Sequence, residues 1–182
     1  MPLTVKASLS VDEIPQPPAP YELIVPPPAK FTTRTLSVTL TGNFKGKIFQ
    51  NGSSGVIELL AVQFFDGEDD VTHTVNRVDG TDSPQGGAHI RRPINLVQPY
   101  QVVDDPPDPW GQWGPGNSIF DVGPQGQGLW SGTTRMTEDG NEIETLIFHF
   151  EGTQNISKIL FHRYERDEYR ERFFRSVTVS EM

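Results

Sequence analysis

The chain contains no cysteine in its 182 residues. That excludes disulfide staples, thiolate metal ligands and a cysteine nucleophile. Apolar residues are also scarce, at 35%, the low end for a globular protein. No apolar run approaches the roughly 20 residues of a membrane-spanning helix, and no long segment carries the 3.6-residue period of an amphipathic helix. Cationic charge is short as well: 15 Lys and Arg stand against 24 Asp and Glu, a net charge of −9. Phosphate contacts demand a basic surface, so a nucleic-acid partner is not expected. The same charge favours solubility and discourages adhesion to anionic membranes. There is no Gly-x-Ser-x-Gly elbow and no P-loop, and Gly126-Gln-Gly128 lacks the strand, helix and third glycine of a dinucleotide fingerprint. No cofactor is therefore expected. The opening residues M-P-L-T-V-K-A-S-L-S-V-D hold no continuous apolar stretch, so no secretory leader is expected and a cytoplasmic location is.

What is present is turn chemistry and short alternating runs. The chain carries 17 Gly and 16 Pro, a composition suited to short strands, turns and long loops. Residues 1–30 form a Pro-rich leader, in which Pro15, Pro17, Pro18, Pro20 and Pro26-Pro27-Pro28 bracket the apolar residues 21–25. Such a segment reads as a tail or an extended arm, and Tyr21, Leu23 and Val25 would let an arm dock on a partner copy or over a barrel mouth. A homo-oligomer held through this arm is one expectation.

Residues 31–182 read as a single all-β domain. Residues 35–41 alternate, with Leu36, Val38 and Leu40 inward. Residues 44–50 follow, and Asn51-Gly52 signals a turn. Residues 56–65 (V-I-E-L-L-A-V-Q-F-F) are apolar on both faces, as in a covered central strand or a barrel strand facing an apolar lumen. Residues 71–78 alternate again, with Val71, His73 and Val75 on one face. Residues 88–92 read as a short strand halted by Pro93. Residues 99–128 hold six Pro and six Gly, a loop long enough to suggest function. Strands resume at residues 129–137, 143–151 and 175–180, while residues 167–174 are ambiguous between helical turns and strand. With roughly eight to ten strands at roughly ten-residue spacing, the expected fold is one antiparallel β-barrel, calycin-like, or a barrel-like sandwich, with a Pro-rich arm and a long Gly/Pro/Trp loop.

Residues 145–164 predict a hairpin. The run T-L-I-F-H-F-E, the polar Gly152-Thr153-Gln154-Asn155 and the run I-S-K-I-L-F-H-R-Y match two strands and a turn. Alternation puts Leu146, Phe148, Phe150, Ile159 and Phe161 on a core face. Pairing would put Ile147, His149, Lys158, Leu160 and His162 together on the other.

That shared face supplies the first candidate site. Histidine as a residue type titrates near neutral pH, so His149 and His162 are candidate acids or bases, and a cationic Lys158 beside them would lower a histidine pKa. Glu58, alone in an apolar run, is either exposed or a buried carboxylate with a raised pKa, suited to proton transfer. Gln63 and His73 face each other if Phe65 pairs with Val71. Trp110, Trp113 and Trp130 are candidates for closing over an apolar ligand or stacking on a sugar. The acidic run Asp66, Glu68, Asp69, Asp70 lacks the spacing of an EF-hand loop, and no metal is expected. Arg163, Arg166, Arg170, Arg172 and Arg175 alternate with acids, the pattern of a salt-bridged surface.

The leading expectation is a barrel binding an apolar or aromatic small molecule. It would act as a cofactor-independent cyclase, isomerase or lyase, with Glu58, His149 and His162 catalytic and Trp110, Trp113, Trp130, His73 and Lys158 on the ligand. The alternative is a non-catalytic carbohydrate-binding or assembly β-sandwich module.

Overall fold

Period-two patterning builds this fold. A computed structural model of the protein describes residues 1–44, 57–80, 93–98, 123–125, 127, 130–131, 143–163 and 167–182. The first sheet has the order β1 (Thr4–Ser8), β11 (Phe174–Glu181), β3 (Phe31–Asn43), β9 (Ile143–Ile156) and β7 (Val75–Asp79). The second has the order β2 (Tyr21–Ile24), β10 (Lys158–His162), β5 (Ala61–Asp66) and β6 (Asp69–Asp70). A short ladder joins β4 (Glu58–Leu59) to β8 (Trp130–Ser131). Every pairing is antiparallel. The all-β expectation therefore holds. A closed barrel is not formed among the described residues, because β1 and β7 edge one sheet and β2 and β6 the other. The Pro-rich leader supplies β1 and β2, one strand to each sheet.

The sheets face each other across a seam of aromatic rings. Phe64 of β5 meets Phe148 and Phe150 of β9 edge-on, with centroids 4.9 and 5.2 Å away. Phe161 of β10 packs edge-on against Phe174 of β11 at 5.1 Å, and Tyr21 of β2 reaches the same ring at 5.8 Å. Edge-to-face contacts set the positive rim of one ring against the negative face of another. Leu36, Val38, Leu40, Leu146, Val177 and Val179 fill in around them and are buried. The space between the sheets is packed with side chains, as a small sheet pair of this size requires.

The residues expected to form the hairpin turn do not turn. β9 runs straight through Gly152-Thr153-Gln154-Asn155 and stays on β3, with Thr32 opposite Asn155 and Thr33 opposite Gln154. Its register then shifts between Thr33 and Thr35, so the chain around Gly152 (φ +122°) forms an irregularity inside a strand. Gly and polar residues satisfy a bulge as readily as a turn. The chain changes sheet only at Ser157, and β10 pairs with β2 and β5, not with β9. The inward set was read correctly, for Leu146, Phe148, Phe150, Ile159 and Phe161 are all buried. The outward set is divided between two sheets.

A second expected pairing also fails. β5 turns tightly at Gly67 (φ +61°) into β6, with Phe65 opposite Asp70. Residues 72–74 leave the ladder as a 3₁₀ turn, and the Thr72 hydroxyl accepts the Phe64 N–H at 2.8 Å. His73 is exposed on that turn and does not face Gln63. The strand expected over 71–78 is confined to β7. Those expected over 88–92 and most of 44–50 and 129–137, with most of the loop 99–128, lie outside the described residues. Residues 167–172 form a 3₁₀ turn. Among the described residues no helix is long and apolar enough to cross a membrane.

Replacing Phe64 by Ala removes the ring that touches two partners across the seam. The expected loss of unfolding free energy is about 3–5 kcal/mol, read from denaturant titration. A loss under about 1 kcal/mol would show that the seam does not hold the sheets together.

Candidate functional site

The outer face of the second sheet carries the best-built site. Alternation along β5 turns Val62 and Phe64 into the seam and Ala61, Gln63 and Phe65 outward. On β10 it turns Ile159 and Phe161 inward and Lys158, Leu160 and His162 outward. Leu160 lies opposite Gln63 and His162 opposite Ala61, which brings the His162 ring diagonally onto the Gln63 amide. His162 Nε2 and Gln63 Oε1 are 2.7 Å apart.

Half of this outward face is nevertheless buried. Ala61 has no exposed surface, Gln63 has 7% and His162 has 8%. The cover includes Gly123, Pro124, Gln125 and Gln127. The Gly123 N–H bonds the Gln127 carbonyl at 2.9 Å, and a Cβ on Gly123 would stand 2.9 Å from the Ala61 Cβ. Only glycine lets the backbone come this close. The cover is tied down by Gln125, whose Nε2 donates to Asp70 Oδ2 at 2.7 Å. The Gln63 Nε2 donates to the same oxygen at 3.1 Å, while the Thr72 N–H donates to Asp70 Oδ1 at 2.9 Å. A chain of polar groups thus runs from the cover through Asp70 and Gln63 to the buried imidazole.

Beside that imidazole is a cleft of about 190 Å³, lined by Pro17, Pro18, Ala19, Leu60, Pro124, His162 and Arg163. The Leu60 N–H bonds the His162 carbonyl at 2.9 Å and fixes the cleft floor. Burial lowers the His162 pKa from the usual 6.5 to about 4, because a desolvated imidazolium has lost its water. At neutral pH the ring is uncharged.

The other expected site residues lie apart from this cleft. His149, on the outer face of the first sheet, bonds Asp79 Oδ2 through Nε2 at 2.8 Å. Asp79 is also gripped by Arg77 at 2.7 and 2.6 Å. The bonds from Arg77 and then His149 hold the Asp79 carboxyl at about 2 against its usual 3.8. His149 and His162, expected on one face, are turned outward from opposite sheets, because the chain changes sheet between them. Glu58 is buried, 4% exposed, and Arg172 Nη1 donates to its Oε1 at 2.7 Å. It is a charge-paired carboxylate, not one isolated in an apolar hollow. Trp130 is fully buried on β8, opposite Leu59. Trp110 and Trp113 lie outside the described residues.

Lys158 lines a separate, larger groove of about 490 Å³ with Glu22, Ile24, Pro28, Lys30 and Glu68. Its ammonium stands 4.7 Å above the centre of the Phe65 ring and 3.9 Å from Glu68, and Lys30 is paired with Asp66. The groove's cations are thus engaged at its own rim, and among the described residues it has no buried polar group at its base.

Two of the arginines expected at the surface are inside: Arg163 is 3% exposed, and the Arg172 side chain 12%. Sequence reasoning read Asp70 only as part of an acidic run and Pro17 and Pro18 only as part of the leader, and it passed over Gln125 and Gln127. Gln63 was the available signal, a lone amide in an otherwise apolar strand. Among the described residues no three His, Asp or Glu stand together as a metal site requires. No protein-family model, curated protein or solved structure matches this chain.

The two shifted groups act over different pH windows. Asp79, with its pKa depressed, adds stability above 3.8 that is lost as pH falls towards 2. His162, also depressed, stays neutral in the fold while the unfolded chain takes up a proton. Stability therefore falls as pH drops from 6.5 to 4, and no further below that on its account. In His162→Gln this part of the acid sensitivity should vanish, read as urea midpoints against pH. Identical slopes in the two proteins across that window would contradict the burial of the imidazole.

Proposed function

We propose that this chain is a small-molecule-binding β-sandwich, and that its site is the cleft beside His162. One observation carries the reading. His162 is almost wholly buried and lines the cleft, yet its Nδ1 makes no hydrogen bond among the described residues. An imidazole nitrogen with no protein partner can bond either water or a ligand, and the cleft is where a ligand would reach it.

Size and lining narrow the ligand. A cavity of about 150 Å³ takes a benzene molecule, so about 190 Å³ suits one ring with a small substituent. Common ligand pockets run to about 300–1,000 Å³, so this cleft is small beside them. Pro17, Pro18, Leu60 and Pro124 offer apolar walls, the imidazole offers one polar contact, and Arg163 also lines the cleft.

Binding draws more support from the geometry than does acid–base catalysis by a cyclase, isomerase or lyase. An imidazole titrating at about 4 is a weak base at neutral pH. Glu58 answers to Arg172 and His149 to Asp79, so the three candidate catalytic groups have separate partners. The sugar-binding alternative leans on Trp110 and Trp113, and no described residue adds to it.

Phenol is a suitable probe. Calorimetry should show phenol binding to the wild-type protein and binding about five- to tenfold more weakly to His162→Leu, the weight of one hydrogen bond. Circular dichroism would establish that the variant is folded. Equal affinity in the two proteins, or no binding of phenol by the wild type, would overturn the proposal.

A further inference from the structure

We propose that Asp70, acting through Gln63, holds His162 in one tautomer and so makes the cleft select ligands that donate a hydrogen bond. The inference rests on the binding reading above and adds a direction to it.

The direction follows from donor and acceptor chemistry alone. A carboxylate has acceptors only. The Gln63 atom facing Asp70 Oδ2 is therefore the amide nitrogen, at 3.1 Å. That leaves Gln63 Oε1 facing His162, and an amide oxygen accepts. His162 Nε2, 2.7 Å away, must then carry the proton. In a neutral ring the other nitrogen holds a lone pair. Nδ1 is thus an acceptor, fixed by a carboxylate two bonds removed. Asp70 is itself held by the Thr72 N–H at 2.9 Å and by Gln125 at 2.7 Å, so it has no freedom to turn away. A phenol, alcohol or N–H compound satisfies Nδ1. An ether or carbonyl of the same shape sets lone pair against lone pair.

Gln63 and Asp70 are positioning residues on this account, and a near-isosteric change reverses the chain. In Asp70→Asn the Thr72 N–H still requires an oxygen, which places the new amide nitrogen towards Gln63. The Gln63 amide then flips, its nitrogen faces the imidazole, and His162 must accept at Nε2 and carry its proton on Nδ1. Gln125 is exposed and can turn to water. A role in packing alone would not move the proton.

Long-range proton–nitrogen NMR on ¹⁵N-histidine-labelled protein at neutral pH reads the tautomer without any ligand. The wild type should show His162 protonated on Nε2, and Asp70→Asn should show it on Nδ1. Gln63→Leu, the second variant, should show both forms. Calorimetry with phenol and anisole then reads the selectivity: phenol should bind the wild type at least about tenfold tighter, and Asp70→Asn should lose that preference. Nδ1 protonation in the wild type, or an unchanged tautomer in both variants, overturns the lock. Equal binding of phenol and anisole overturns the selectivity while leaving the cleft a binding site. Binding of neither overturns the binding reading, and the selectivity with it, while the NMR result on the lock stands by itself.

Discussion

The corner at Ser157 is the constraint from which the rest of the structure follows. Its N–H donates to the Phe65 carbonyl at 2.8 Å, and its carbonyl accepts the Val25 N–H at 2.9 Å. Its hydroxyl accepts the Gly67 N–H at 2.8 Å. These bonds stitch one residue to β5, to the end of β2 and to the β5–β6 turn. They carry the chain from a long strand of the first sheet to a central strand of the second. Once the corner is made, the apolar faces of β9 and β10 look at each other across the molecule instead of lying side by side. Phe148 and Phe150 then meet Phe64 from the opposite sheet. The same corner sends His149 and His162 to opposite exteriors.

Alternation was the legible part of the sequence. Leu36, Val38 and Leu40, and then Leu146, Phe148, Phe150, Ile159 and Phe161, are buried where a period of two puts them, because facing is a local property of an extended chain. Partner choice was not legible. Gly152-Thr153-Gln154-Asn155 fits a hairpin turn and a bulge equally well, and only contacts with β3 decide between them. The arginines make the same point. Arg172 reads as one charge in a mixed run until Glu58, 114 residues earlier, is placed beside it. Burial of such a pair depends on a partner that local sequence does not disclose.

The candidate site was half legible. Glu58, Gln63 and His162 stand out as polar residues in apolar strands, and all three are buried. Asp70 does not stand out, since it sits in an acidic run typical of a turn. Its role comes from three amide donors converging on one carboxylate. Burying Gln63 and His162 without partners would cost each of them its hydration. The chain from Gln125 through Asp70 and Gln63 to His162 Nε2 offsets that cost. The glycine-tight cover over Ala61 keeps water from the rest. A lowered imidazole pKa is one result of this burial.

A crystal structure of the protein with phenol tests the central claim most directly. The account predicts the phenol oxygen within hydrogen-bond distance of His162 Nδ1, with the ring against Leu60, Pro18 and Pro124. Phenol seated in the groove beside Lys158 and Ile24, or His162 Nδ1 turned inward with the cleft vacant, would contradict it.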